Sequence, residues 1–151
     1  MKLTRISLFT LALGTLIATP ALAGLGGSAD SVAADQVRLK GTVRVSAAAA
    51  YHVHEITAAS GTRVREYLGT DGRVFAVAWD GPSHPDLKTL LGSYYAQFAA
   101  ALTAQSQHNH RHVLIERADL VLERTVYQRS VSGRAWAPAL LPRDVAATDI
   151  Q

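Results

Sequence analysis

Three runs between Tyr51 and Trp79 carry β-branched and aromatic residues in the short-period pattern of strands: YHVHEITA, TRVREYLG and RVFAVAW. Side chains that change face at every residue give a strand a period of two, and branched or aromatic groups fit its pleated surface. Ser60–Gly61 and Asp71–Gly72 separate the runs. Asp-Gly between such segments is a strong hairpin signal, because tight turns need positive φ, where glycine has no Cβ to clash. The pattern predicts a three-stranded antiparallel meander. Thr42–Ser46, TVRVS, alternates in the same way and predicts a further strand, whereas Ala47–Ala50 has no periodicity. Ser31–Lys40 fits a short helix, and Gly24–Ala29 reads as a flexible start.

Beyond Trp79 the period lengthens. DGPSHPD makes a turn and a helix start, with Pro85 suited to a first helical turn and Asp86 placed to favour its positive end. Leu87, Leu90, Leu91, Tyr94, Phe98, Ala101 and Leu102 then follow the spacing of one apolar stripe along a helix. Gly92 lowers helix propensity without ending the helix. His112–Arg117 and Asp119–Ser130 look like further strands, GRAWAP follows from Gly133, and the terminal LLPRDVAATDIQ reads as extended. The predicted class is α+β: an antiparallel sheet, meander plus C-terminal strands, with one long amphipathic helix packed on a face.

The first residues do not belong to this architecture. Lys2 and Arg5 precede an apolar run from Ile6 to Ile17, and Ala21–Ala23 offers small residues for cleavage. That order is the order of a secretory signal peptide, with an apolar run too short to anchor in a bilayer. Residues 1–23 are therefore expected to be removed, leaving residues 24–151 as a single mature domain in the periplasm or outside the cell. The chain has no cysteine, which excludes a lipid-anchored form and any disulfide. Stability must come from a packed core, for which 128 residues suffice. Cleavage also lowers Lys+Arg from 15 to 13 against 12 acidic residues. No strong field for nucleic acid remains, and no nucleic-acid motif supports one. No later segment is long and apolar enough to span a membrane, and no cofactor is implied.

Turn geometry assigns the candidate residues. With Ser60 and Gly61 as a two-residue turn, Glu55 faces Glu66 and His54 faces Tyr67. With Asp71 and Gly72 as the next, Glu66 faces Val77 and Leu68 faces Phe75. One side then carries Tyr51, Val53, Glu55, Val64, Glu66, Leu68, Phe75, Val77 and Trp79, the expected core. The other carries His52, His54, Ile56, Arg63, Arg65, Tyr67, Val74, Ala76 and Ala78. Two opposed glutamates in a core face repel. Either a cation separates them, or one is protonated, or the loop is a residue longer and the pairing shifts. A hydrolase using Glu55 and Glu66 is one functional reading. His52 and His54 share a face as metal ligands would, yet Arg63 and Arg65 beside them oppose a divalent cation. That surface, with Tyr67, better suits an anionic ligand or an acidic partner. His108, His110 and His112 would share a face if HNHRH were extended, and His-rich tracts bind metals. The nucleophile elbow and the phosphate- and dinucleotide-binding loops are absent, and Ser83, His84 and Asp86 fall in a proline turn too tight to build a triad.

SVAAD with LKG, YHVHEI, GTRVREYL, DGRVFAVAWDGPSHPDLKTLLGSYY and GRAWAPALLPRDV together resemble a family of short exported proteins of Gram-negative bacteria, grouped as domain of unknown function 2844. The resemblance implies a signal peptide and one domain, and brings no activity, catalytic residue or cofactor. HNHRH and ERTVYQRS fit it least. The expectation is a non-enzymatic envelope protein that binds an unknown protein or anionic ligand through one sheet face. Intact-mass measurement of the exported protein should show a chain beginning at Gly24; retention of Met1–Ala23 would contradict the cleavage.

Overall fold

The computed structural model describes residues 24–104 and 111–151. β1 (Thr42–Ala47), β2 (Tyr51–Thr57), β3 (Arg63–Gly69) and β4 (Val74–Gly81) form one meander; β5 (His112–Glu116), β6 (Val121–Tyr127) and β7 (Ser130–Trp136) form another. β7 pairs with β4, so a single antiparallel sheet runs in the order β1-β2-β3-β4-β7-β6-β5. The class is α+β, as the patterning predicts.

Helices cover one side. α1 (Ala29–Leu39) leads into β1, and its C-cap Lys40 adopts a left-handed conformation. Between the two meanders the chain is helical from Leu87 to Ala104, but not uniformly so. α2 (Leu87–Leu91) stops at Gly92, whose φ of 53° is outside the helical range, and a 3-10 turn over Gly92–Tyr94 joins it to α3 (Tyr95–Ala104). Gly92 thus breaks the α-helix that its propensity alone would only weaken. Leu90, Leu91 and Phe98 of the expected stripe are buried, and Leu87, Tyr94, Ala101 and Leu102 pack against the same core. Asp86 precedes this segment as its N-cap, accepting hydrogen bonds from the Lys88 and Thr89 amides. Gly24–Ala29, expected to be a flexible start, is instead pinned and runs into α1. Leu25 donates to the Leu90 carbonyl at 2.9 Å, Gly26 donates to Val74 at 2.8 Å, and Leu25 is buried.

The loops that join β2 to β3 and β3 to β4 have three residues each, not two. Ala58 N–H donates to Thr62, Gly61 N–H returns to Ala58, and Gly61 has φ +83°. Gly72 N–H likewise bonds the Gly69 carbonyl, with φ +75°. A turn closed by a left-handed glycine is the standard three-residue hairpin. The extra residue at the first loop shifts the register by one: Glu55 faces Arg65, and His54 faces Glu66. At the second loop Glu66 does face Val77, but a bulge between Tyr67 and Leu68 sets Leu68 against Val74 and leaves Phe75 as the added residue.

A one-residue slip moves every side chain of a strand to the other face. The structure therefore has two cores where the sequence suggested one. Beneath the helices lie Ile56, Val64, Leu68, Val74, Val77 and Trp79 with residues of β5–β7. On the opposite side Tyr67, Phe75, Ala76, Ala78 and Trp136 pack with Val145 and Ile150 of the segment that follows β7. That tail, residues 137–151, is no extended strand: it carries 3-10 turns at Pro138–Leu140 and Ala147–Asp149. Being covered on both sides makes β4 buried throughout Val74–Trp79, which is why VFAVAW lacks alternation.

Gly133 shows how tightly the central strands pack. A Cβ there would lie 2.3 Å from Cζ2 of Trp79 and 2.8 Å from the Glu123 carbonyl oxygen. Gly133→Ala should lower unfolding stability by about 1–3 kcal/mol, as overpacking does, read as a lower urea midpoint. An unchanged midpoint would mean the strands are looser than this.

Candidate functional site

Register aligns polar residues into two rows across the tail-covered side. One row runs Arg44, Glu55, Arg65, Ala78, Arg134, Glu123 from β1 to β6. The next runs Thr42, Thr57, Arg63, Asp80, Ser132, Thr125 and His112. The tail leaves much of these rows open and covers the apolar row beside them.

Opposite charges are neighbours within and between the rows, and the ion pairs follow. Asp80 is shared: Arg63 Nη2 reaches Oδ2 at 2.7 Å, and Arg65 Nη2 reaches Oδ1 at 2.7 Å. Asp80 holds the exposed Arg63 guanidinium above its ordinary pKa through that hydrogen bond. Glu55 lies 3.9 Å from Arg65, a cross-strand ion pair rather than the glutamate pair expected. Arg134 Nε and Nη2 both bond Glu123 at 2.9 Å, while Nη1 donates to the carbonyls of Ala147 and Ile150 at 3.1 Å each. The same guanidinium lies over Trp136, 5.5 Å from the ring centre. Tyr67 completes the tail's attachment: its hydroxyl donates to the Gln151 carbonyl at 2.9 Å and accepts from the Gln151 amide at 3.0 Å.

Between β1–β3 and the end of the tail opens a cleft of about 510 Å³. Arg44, Glu55 and Arg65 supply charge from the sheet, Tyr51 and Tyr67 supply aromatic surface, and Asp149 closes it from the tail. Tyr51 packs on Tyr67 and Phe75 with ring centres 5.9 Å apart in both pairs, which fixes the aromatic wall. Arg44 is exposed and, among the described residues, forms no ion pair within 4 Å. A second hollow of about 280 Å³ lies beyond Arg65, over Asp80, Glu123, Ser132 and Arg134.

The residues singled out from sequence are divided by the sheet. Arg63, Arg65 and Tyr67 stand on the tail side; His52 and His54 stand on the helix side, opposite Leu68 and Glu66. The five do not form one surface. His54 is held below its ordinary pKa, first by burial and then by the neighbouring His52. Its folded state therefore takes up protons less readily than the unfolded chain, so this ring costs stability as the pH falls below its ordinary pKa. Glu66 is fully buried beneath the helices, on the other side of the sheet from Glu55. Two carboxylates separated by a sheet cannot act on one bond, so the paired-acid geometry is absent. His112 is exposed on β5 with Nδ1 3.2 Å from Thr125 Oγ1; His108 and His110 lie outside the described residues. Among the described residues no three His, Asp or Glu side chains gather as a metal-binding set. Ser83 and Asp86 have separate structural partners, Thr62 and the first turn of α2. The Thr89 hydroxyl in particular holds the Asp86 carboxyl below its usual range.

Arg44 and Asp149 were not singled out. Arg44 sits at an alternating position of TVRVS, and pairing that strand with YHVHEIT would have set it opposite Glu55. Asp149 gives no sequence signal, because only the tail's return across the sheet brings it there.

Residues 21–150 match the family described as "Protein of unknown function (DUF2844)", and the chain belongs to that family. No curated protein matches it, and no solved structure does. Among the described residues no helix is long and apolar enough to cross a membrane.

If Arg134 holds the tail, Arg134→Met should cost about 1.5–3 kcal/mol, the range for charge-assisted hydrogen bonds, and speed amide exchange at residues 145–151. Unchanged exchange there would show that apolar packing of Val145 and Ile150 alone retains the tail.

Proposed function

We propose that this is an exported, non-enzymatic binding protein of the cell envelope, whose tail-side cleft takes a hydroxyl-rich ligand with an acid group, such as an acidic saccharide. The observation that carries the reading is Arg44: an exposed guanidinium with no ion pair among the described residues, placed in a cleft walled by Tyr51 and Tyr67. Arg63 and Arg65, by contrast, are already engaged by Asp80. A ligand acid group can bond Arg44 in bidentate fashion. Glu55 and Asp149 can accept from hydroxyls, and the tyrosine rings offer apolar faces with polar tips. Export rests on Lys2, Arg5, the apolar run Ile6–Ile17 and Ala21–Ala23. The earlier five-residue surface contracts accordingly, keeping Arg65 and Tyr67 and gaining Arg44 and Tyr51.

The test is an NMR titration with oligoglucuronate, with neutral maltooligosaccharide as control. Shifts should map to Arg44, Tyr51 and Tyr67 with oligoglucuronate alone. Arg44→Glu should weaken the interaction at least about tenfold, the loss of one charge-assisted contact, while the folded spectrum persists. Equal response to both sugars, or no effect of Arg44→Glu, would refute the reading.

A further inference from the structure

β1 forms one edge of the sheet, with β2 on one side and no strand among the described residues on the other. Its outward hydrogen-bonding groups can be identified. The Ala48 amide donates to the Tyr51 carbonyl at 2.8 Å, so this pair is a hydrogen-bonded position of the β1–β2 hairpin. Hydrogen-bonded and non-hydrogen-bonded pairs alternate along an antiparallel ladder. Ser46, Arg44 and Thr42 therefore turn their backbone groups toward β2, and Val43, Val45 and Ala47 turn theirs outward. β1 lacks two common guards of an edge: it has no proline, and its six pairs with β2 run without a bulge; its one charge, Arg44, turns its backbone groups toward β2. Val45 is 56% exposed at its centre, and Val37, 78% exposed, lies on the helix that leads into it.

We propose that β1 pairs antiparallel with β1 of a second copy of this chain, about a two-fold axis through Val45. This register follows from the outward groups. It joins Val43 to Ala47 of the copy, Val45 to Val45 and Ala47 to Val43, so all three outward-facing residues of each strand are used. A shift of two residues one way would set Arg44 on Arg44 of the copy; a shift the other way loses Val43 from the ladder. In the centred register Arg44 meets Ser46 of the copy, with no like charges opposed. The opposite edge is guarded. Centred pairing of β5 on its own copy would bring Arg111 against Arg117 at both ends, which is unfavourable for like charges on facing strands. Pairing through β1 also places the copy along the open β1 side of the cleft, where Arg44 and Ser46 stand. The proposal does not depend on what the cleft binds.

The chain lacks cysteine, so a single introduced thiol reports on the axis. Hydrogen-bonded antiparallel partners have Cα atoms roughly 5.5 Å apart, within the range a disulfide accepts. Val45→Cys should form a disulfide-linked dimer under mild oxidation, whereas Leu114→Cys on β5 should remain monomeric under the same conditions. The unaltered protein should sediment as a dimer at about 100 µM, with the dimer fraction falling on dilution. Val45→Lys should sediment as a monomer with an unchanged circular dichroism spectrum. A monomeric unaltered protein, preferential cross-linking of Leu114→Cys, or a dimer that survives Val45→Lys would each overturn the proposal. Should Val45→Lys fail to fold, the comparison of the two cysteine variants still decides.

Discussion

The structure depends on the left-handed conformation of Gly61. At φ +83° this residue closes a three-residue loop and so sets which residues of β2 and β3 face one another. The pairing of Glu55 with Arg65 places opposite charges together and keeps Glu55 on the tail-covered side. A residue with a Cβ meets steric resistance in that region of φ and ψ, and moving the loop by one residue would invert every side chain on β2. Gly72 performs the same task one hairpin later, and the bulge at Phe75 then turns an additional aromatic toward the tail side.

Once the register is set, the sheet must be covered twice. The helices cover one side through the leucine stripe, and the tail covers part of the other through Val145 and Ile150. The two coverings differ in kind. Beneath the helices burial is extensive and mainly apolar. On the tail side, Arg134 and Tyr67 hold a thin segment by hydrogen bonds to its backbone, next to rows of charge that remain accessible. Function is better placed on this half-covered side, because a site needs fixed polar groups that solvent and ligand can still reach.

Much of this was legible in the chain. The strands of the first meander, the helix stripe and the α+β class follow from periodicity, whereas the run Val74–Trp79, divided between two faces like its neighbours, is buried on both because its strand is central. Register was harder. Ser60–Gly61 and Asp71–Gly72 mark the turns but do not say whether the glycine is the second or third loop residue, and that single position decides the faces. The clash inferred between Glu55 and Glu66 was the available warning that the shorter loop was wrong, and a longer loop is the resolution the structure adopts. The cleft was less accessible still. Arg44 lies in a recognisable strand, but its partner strand was not assigned, and Asp149 reaches the cleft only through a tail whose path no periodic pattern encodes. Gly92 shows a related limit: propensity describes a cost, whereas the positive φ there marks where α2 gives way to a 3-10 turn within the helical stretch.

The central claim is the pairing of β2 with β3, and proton NMR tests it directly. In the observed register Glu55–Arg65 and Val53–Tyr67 are the close, non-hydrogen-bonded pairs of the ladder. Strong Hα–Hα cross-peaks are expected between Glu55 and Arg65 and between Val53 and Tyr67. A strong cross-peak between Glu55 and Glu66, with none from Glu55 to Arg65, would return the two glutamates to one face and contradict the account.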